Sequence, residues 1–299
     1  MTELRRTPTL ESIEDTVVNV SHSAHFSAVA VVESLAESDL KTGRQLHDDV
    51  AVQNAFHQHG LHVQFYKAPT SALFMSALQD IAKDAQAGTW PILHLVCHGN
   101  ESGVGLGDGS FLTWQQLKGP ITSINVETRL NLLVVLAACR GGYFGSAIST
   151  TDRAPCWAIV GPTEEITSGE VLRSFGAFYS ELLSTLSGDE SLRALRRVAL
   201  NQGDFFFTTA IDLFRATWIK FLQTYGTSSA LDDWADDLHQ RALEMGRSGD
   251  RAEVRRRLGD WPSHFRKYWS TFFMVDLFPE NGERFAMDHE DLRDLSPSA

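Results

Sequence analysis

Short apolar runs alternate with helix-period segments along the first two thirds of the chain. Five runs have the length and composition of buried strands, and apolar residues recur every three or four positions between them. Helices are indicated over 44–59, where Leu46, Val50 and Phe56 share one stripe, and from Thr70, a natural N-cap. The strand-like runs are 26–33, 61–66, 91–97, 132–135 and 156–161.

This alternation predicts an α/β fold with a mostly parallel sheet flanked by helices, because parallel strands need helical crossovers. Asp108-Gly109 between two short apolar runs indicates a hairpin. Residues 205–207 are expected to form a last edge strand, and from 208 onward aromatic residues recur at helical spacing. The predicted organisation is a loose N-terminal arm over 1–22, an α/β domain over 23–207 and a helical C-terminal extension over 208–299 that ends in an acidic tail.

Composition narrows the classes of partner and compartment. The chain has 299 residues and a net charge of −12, so a nucleic acid is not expected as its partner. Its three cysteines show no CxxC spacing, which argues against a zinc site and against a disulfide framework. No metal or cofactor is therefore expected. No apolar stretch reaches the roughly 18 residues of a membrane span. The first residues do not resemble a signal peptide, so we expect a cytoplasmic protein.

Two of the apolar runs end in reactive side chains. The run 91–97 is followed by His98-Gly99, and the run 132–135 is followed by Leu-Ala-Ala-Cys-Arg-Gly-Gly, in which the thiol is Cys139. Carboxyl ends of neighbouring parallel strands meet at one edge of a sheet, so the imidazole and the thiol are expected together. Such a pair supports nucleophilic catalysis, with the backbone N–H groups of Gly99 and Cys139 as oxyanion donors. Because no acidic residue is evidently placed to orient His98, the prediction is a cysteine peptidase with a His98/Cys139 dyad.

A structural interpretation competes with the catalytic one at every cysteine and histidine. Free cysteine is among the most buried residue types, so Cys97 and Cys156 are interpreted as packed side chains. His62 and His94 lie within strands and are interpreted in the same way. Cys139 differs because two neighbouring apolar runs each end in a reactive side chain, His98 after one and Cys139 after the other. This combination favours a catalytic role for Cys139.

The conjunction resembles the caspase-like cysteine peptidases, which include caspases, metacaspases, separases and, closest to this chain, the bacterial CHAT-domain proteases. The sequence at 138–141 matches the Ala-Cys-Arg-Gly core of the caspase signature, and His98 lies 41 positions before the cysteine, near the roughly 50 of caspases. The resemblance covers about 24–205. It implies one α/β domain, His98 as general acid and base, Cys139 as nucleophile, Gly99 in the oxyanion hole and cleavage after a selected P1 residue.

Departures from the family pattern bear on specificity and activation. Two residues before the nucleophile, caspases carry Gln for an acidic P1 and metacaspases carry Asp for a basic one, whereas this chain has Ala137. The position of the caspase arginine that recognises acidic P1 corresponds to Thr42, with Arg44 nearby. We therefore expect Thr42, Arg44 and Ala137 to form the pocket and the P1 residue to be uncharged. The connection 140–154 is short, so the enzyme is expected to stay one chain and to be switched by a partner.

The resemblance implies a role in bacterial antiviral defence or regulated cell death, through cleavage of a protein substrate such as a gasdermin. The aromatic helical extension is the expected docking surface for an activating sensor protein, because interface cores are rich in aromatic residues. Two other interpretations stay open, a catalytically silent caspase-like adaptor and a thiol amidase for a small substrate. The adaptor predicts that Cys139→Ala leaves function intact. The amidase predicts no labelling by peptide-based electrophiles.

Overall fold

A computed structural model of the protein describes residues 24–199 and 205–293. The predicted N-terminal arm, 1–22, and the end of the predicted acidic tail, 294–299, lie outside these residues. The described chain contains one mixed sheet. Its strands are β1 Ala28–Ser34, β2 His62–Lys67, β3 Pro91–Asn100, β4 Gly103–Gly105, β5 Phe111–Thr113, β6 Leu133–Ala137, β7 Ala158–Pro162 and β8 Phe205–Thr209.

The main path of the sheet runs in the order β2-β1-β3-β6-β7-β8. Its neighbouring strands are parallel, except that β8 pairs antiparallel with β7 at the edge. The chain therefore leaves β1 toward one side for β2 and returns on the other side for β3. Such a reversal opens a crevice at the carboxyl ends of the strands, here between β1 and β3.

Helices cover both faces of the sheet, which explains why the strands read as continuous apolar runs. Every residue of β1 is buried. One face of the sheet packs into an apolar cluster with α2 and α3, and the other packs with α1 and α4. The predicted α/β fold with a mostly parallel, helix-flanked sheet is thus confirmed. The five helices of this part are α1 Thr42–His57, α2 Ser71–Gln86, α3 Trp114–Glu127, α4 Ser168–Thr185 and α5 Gly188–Val198.

Local sequence signals mark several boundaries correctly. Thr70 caps α2 by accepting the N–H of Leu73 at 3.2 Å. The hairpin predicted at Asp108-Gly109 joins β4 and β5, and Gly109 has the positive φ of 85° that favours glycine. The edge strand predicted at 205–207 is β8.

The predicted apolar stripe of α1 is wrong at its end. Leu46 and Val50 are buried against the sheet, but the side chain of Phe56 is 79% exposed. Phe56 lies roughly 120° around the helix from Val50, because each residue of an α-helix turns it by about 100°. The stripe that reaches the sheet is therefore narrower than the sequence pattern indicates.

The C-terminal extension is helical, as expected, and it packs on the α/β part. Its apolar cluster is built around Phe214, Trp218 and Phe272 and includes Leu130 and Ala154 of the α/β part. The helices are α6 Ala210–Tyr225, α7 Ser228–Glu244, α8 Arg251–Leu258, α9 Trp261–Phe272, α10 Asn281–Arg284 and α11 His289–Arg293. Across the described ranges, no helix has the length and apolar character needed to span a membrane.

Candidate active site

The sheet brings the carboxyl ends of β3 and β6 side by side. Val96 of β3 pairs with Ala137 of β6 in parallel register. His98 and Cys139 each lie two residues beyond this pair. When the same register is continued by two residues, His98 and Cys139 lie opposite one another at the edge of the sheet.

Gly99 determines how closely the two strand ends approach. A Cβ atom added to Gly99 would lie 2.4 Å from the carbonyl oxygen of Cys139 and 3.3 Å from its nitrogen. The first distance is far inside van der Waals contact, so a larger residue would displace the backbone of the nucleophile. In the part of the chain that the structure describes, the N–H of Cys139 donates no backbone hydrogen bond. The backbones of the two residues predicted to supply oxyanion donors are therefore in direct contact.

The thiol of Cys139 is half-buried and contacts the loop between β7 and α4. Its Sγ accepts a hydrogen bond from the N–H of Ile166 at 3.4 Å and donates to the carbonyl oxygen of Ile166 at 3.6 Å. Sulfur is thus held at the edge of the sheet rather than packed in the core. The contact with the Ile166 carbonyl must be given up before the sulfur can attack a substrate.

Arg140 connects the loops that surround the thiol. Its guanidinium pairs with the carboxylates of Glu101, in the β3–β4 turn, and Glu164, in the β7–α4 loop. Its backbone N–H donates to the carbonyl oxygen of Glu164 at 3.0 Å, and its φ of 55° lies in the left-handed region. The left-handed turn at Arg140 follows shortly after β6. Cys139 therefore lies between the β3–β4 turn and the β7–α4 loop, both of which Arg140 contacts.

His98 has a carboxylate partner that sequence analysis did not find. Its side chain is 66% exposed, and its Nε2 lies 2.9 Å from Oδ2 of Asp39 in the β1–α1 loop. The hydrogen bond to His98 holds the pKa of Asp39 below its usual value. The expectation that no acid orients His98 is therefore corrected. The only sequence signal for Asp39 was its place after β1, beside the crevice where the strand order reverses.

Two of the three predicted pocket residues are buried. Thr42 and Ala137 are buried at 4% and 3% exposure. The guanidinium of Arg44 lies 5.2 Å from the ring centre of Phe65 and pairs with Asp48 on its own helix. An open cleft of about 410 Å³ lies next to Gly99 and Arg140. Its lining residues are Gly99, Asn100, Glu101, Ser102, Arg140 and Glu165.

The other two cysteines are packed, as their structural interpretation expects. Cys97 is 5% exposed and Cys156 is fully buried. Burial raises the pKa of the Cys97 thiol to about 12 and raises that of Cys156 further. Thiols of this kind stay protonated and unreactive at neutral pH, which leaves Cys139 as the accessible thiol. In the described ranges, no group of three or more His, Cys, Asp or Glu side chains could hold a metal ion.

Comparisons with known proteins give a distant similarity to solved structures and none at the level of sequence families. No protein-family model matches the chain, and no curated protein matches it. Among solved structures, the chain is similar to caspase-1 from Spodoptera frugiperda, with 14% sequence identity and a TM-score of 0.42. The match covers 64% of this chain and 90% of that chain. This similarity is too distant to carry an argument about activity.

Proposed function

We propose that the protein is a cysteine endopeptidase of the caspase-like group, related most closely to the CHAT-domain proteases. The observation that carries the proposal is the packing of Gly99 directly on the backbone of Cys139, next to His98. One accessible thiol, one exposed imidazole and two adjacent backbone N–H groups then occupy the same edge of a parallel sheet. This is the set of groups that acyl transfer through a thiolate requires.

The proposed reaction follows from the roles of these groups. The thiolate of Cys139 attacks the carbonyl carbon of the scissile peptide bond, and the N–H groups of Gly99 and Cys139 bind the oxygen that becomes negative. The imidazolium of His98 gives its proton to the leaving amine. The C–N bond breaks and leaves an acyl-enzyme. The neutral imidazole then takes a proton from the water that attacks this acyl-enzyme, the C–S bond breaks, the carboxylic acid product leaves, and the thiolate and imidazolium are restored.

Activity-dependent labelling tests this reaction directly. A peptidyl acyloxymethyl ketone alkylates an attacking thiolate and loses its carboxylate leaving group, so treatment of the protein should add the mass of one peptidyl methyl ketone group at Cys139. Replacement of His98 by Ala should slow that labelling by about 100-fold, the lower range for loss of a general acid or base. If the inhibitor labels no residue of the protein, the proposal is contradicted and the amidase or the adaptor is favoured.

We propose an uncharged, small or aliphatic P1 residue. The support for this proposal is the departure from the family pattern: this chain has Ala137 where caspases and metacaspases carry a P1-binding Gln or Asp, and Thr42 where caspases carry the P1-binding arginine. A library of peptides that varies P1 tests this preference. Fastest cleavage after Leu, Val or Ala supports it, whereas strong cleavage after Asp or Arg contradicts it.

We also propose that the enzyme acts as an uncut chain. The connection between β6 and β7, where caspases are processed, is fastened to the C-terminal extension. Arg153 forms two hydrogen bonds of 2.7 Å with Asp276, and the N–H of Ala154 donates to the carbonyl oxygen of Phe272 at 3.0 Å. Mass spectrometry of the active protein should find one intact chain, and two fragments would contradict this.

The proposed setting is bacterial antiviral defence or regulated cell death in the cytoplasm, with a protein substrate such as a gasdermin. A sensor protein that docks on the helical extension is the proposed activator. This part of the proposal is supported by the resemblance at 138–141 and His98. Co-expression with a gasdermin encoded beside the protein should yield a cleaved gasdermin in the wild type and an uncut one in Cys139→Ala. A gasdermin cut equally in both would contradict it.

One observation favours an adaptor as the second candidate. The sulfur of Cys139 donates to the carbonyl of Ile166, a contact that keeps its proton in place. An adaptor that uses the fold for its surfaces would retain this arrangement permanently. It predicts that Cys139→Ala preserves the cellular function, whereas the peptidase requires that the variant abolish it.

A further inference from the structure

The loop between β1 and α1 carries an acidic side chain to the proposed catalytic histidine. The loop follows β1 at the crevice where the strand order reverses, and β3 delivers His98 to the other side of that crevice. Asp39 is 59 residues away from His98 in the sequence, yet its Oδ2 lies 2.9 Å from Nε2 of His98. The side chain of Asp39 is 28% exposed and that of His98 is 66% exposed, so the contact lies at the surface of the protein.

The position of this carboxylate is fixed by its own loop. The same Oδ2 accepts the N–H of Ala36 at 2.9 Å, and Lys41 donates to the carbonyl oxygen of Ala36. The β4–β5 turn packs closely against the start of the β1–α1 loop. A Cβ added to Gly107 in that turn would lie 2.6 Å from the carbonyl oxygen of Leu35. Asp39 is thus held before it meets His98, and its orientation does not depend on the imidazole.

A hydrogen bond at Nε2 decides which nitrogen of His98 can act on the thiol. A carboxylate accepts only, so Nε2 must carry a proton and Nδ1 of the neutral ring carries the lone pair. The two ring nitrogens point in different directions, and β1 and β6 lie on opposite sides of β3. With Nε2 directed at the β1–α1 loop, Nδ1 is left for the thiol at the end of β6.

Several other charged groups lie near the site. The guanidinium of Arg140 pairs with Glu101 and Glu164, and Lys41 lies on the same loop as Asp39. Glu165 lines the cleft and is exposed. Across the described ranges, Asp39 is the one carboxylate hydrogen-bonded to the ring of His98. Removal of the charge of Asp39 should therefore destabilise the imidazolium of His98, because no other carboxylate of the described residues is hydrogen-bonded to the ring.

We propose that Asp39 is a positioning residue that converts the His98/Cys139 pair into a Cys–His–Asp triad. The proposal rests on the peptidase function proposed above and adds to it the group that selects the tautomer and stabilises the imidazolium. The stabilised imidazolium in turn favours the thiolate of Cys139 at neutral pH. The carboxylate itself keeps its charge throughout the reaction.

The pH dependence of thiol alkylation tests the triad without a known substrate. Iodoacetamide reacts with thiolates, and Cys97 and Cys156 are buried, so the rate of carbamidomethylation of Cys139 reports its ionisation. Asp39→Asn should shift the midpoint of this rate upward by about one pH unit, because an adjacent opposite charge shifts a pKa by about that amount or more. Asp39→Glu, which restores the charge, should bring the midpoint back toward that of the wild type.

Glu37→Gln is the matched control for Asp39→Asn. Glu37 lies on the same loop and pairs with Lys67 at 2.6 Å, so the variant removes one negative charge without touching His98. Its alkylation midpoint should equal that of the wild type. Equal shifts in Glu37→Gln and Asp39→Asn would show a general charge effect and overturn the triad.

His98→Ala separates failure of the triad from failure of the proposed function. If His98→Ala shifts the alkylation midpoint upward and Asp39→Asn does not, the pair stands and Asp39 has no positioning role. If neither variant shifts it, the imidazole and thiol are not coupled, and the peptidase proposal fails with the triad.

With a cleavable peptide, Asp39→Asn should lower kcat by about 10- to 100-fold while KM changes little, as loss of an orienting partner does elsewhere. A change in KM alone would contradict the positioning role.

Discussion

At the scale of single residues, Gly99 is the most constrained position of the site. Gly99→Ala would place a methyl group 2.4 Å from the carbonyl oxygen of Cys139 and push the nucleophile aside. Because a displacement of about 1 Å can cost about 100-fold in rate, kcat/KM for a peptide substrate should fall by about that factor. Gly119→Ala in α3, where a Cβ meets nothing within 4 Å, is the matched control and should leave kcat/KM unchanged. An active Gly99→Ala variant would contradict the described approach of β3 and β6.

His94 predicts how stability responds to acid. It is completely buried in β3, where desolvation lowers its pKa from 6.5 to about 3, and its Nδ1 lies 3.1 Å from the hydroxyl oxygen of Tyr179. The unfolded chain therefore binds a proton that the folded chain does not, and stability present above pH 6.5 is lost as the pH falls toward 3. The contribution of one such group is about 1.4 kcal/mol per pH unit.

Urea unfolding at several pH values measures this effect. The double variant His94→Leu, Tyr179→Phe removes the titrating ring without leaving the Tyr179 hydroxyl unpaired, so its free energy of unfolding should fall less steeply below pH 6.5 than that of the wild type. The same slope in both proteins would show that His94 does not titrate on unfolding.

Among individual residues, the sequence predicted those that carry reactive groups but not the one that orients them. His98 and Cys139 follow apolar runs, and that pattern is visible without a structure. Asp39 lies in a polar connection whose conformation depends on Ala36, Lys41 and the packing of the β4–β5 turn. Nothing local distinguishes it from Glu37, the other acidic residue of the same loop.

At the scale of secondary-structure elements, the strands were predictable because both faces of the sheet are covered. Burial on two sides requires continuous apolar runs, and β1, β3, β6 and β7 all show them. The pocket was not predictable in the same way. Its expected residues Thr42 and Ala137 are buried, because a sequence motif does not determine which residues pack over it.

The loops at the ends of β3, β6 and β7 act together through Arg140. Arg140→Lys keeps one positive charge but loses the planar fork that reaches Glu101 and Glu164 at once. We expect kcat/KM to fall by about tenfold, since loss of a supporting contact typically costs 10- to 100-fold. The free energy of unfolding should change little, because exposed ion pairs contribute about 1 kcal/mol or less. The matched control is Arg193→Lys, whose partner Glu190 lies on α5 away from the site. Equal activity of Arg140→Lys and wild type would contradict a role for the shared arginine.

At the scale of the whole molecule, the C-terminal extension supports the connection that follows the nucleophile. Asp276→Ala removes both hydrogen bonds to Arg153 and should loosen 148–154. Amide hydrogen exchange should then be faster in that segment, including at Ala154, than in the wild type. The swap Arg153→Asp with Asp276→Arg should restore slow exchange, and unchanged exchange in Asp276→Ala would show that the contact does not hold the segment.

The central claim is that His98 and Cys139 form one catalytic unit at the edge of the sheet. The most direct test is peptide mapping after treatment with a peptidyl acyloxymethyl ketone, in the wild type and in His98→Ala. We predict one modified residue, Cys139, in the wild type, and labelling of Cys139 in His98→Ala that is slower by about 100-fold. Labelling that is absent in the wild type, or equally fast in both proteins, would contradict the claim.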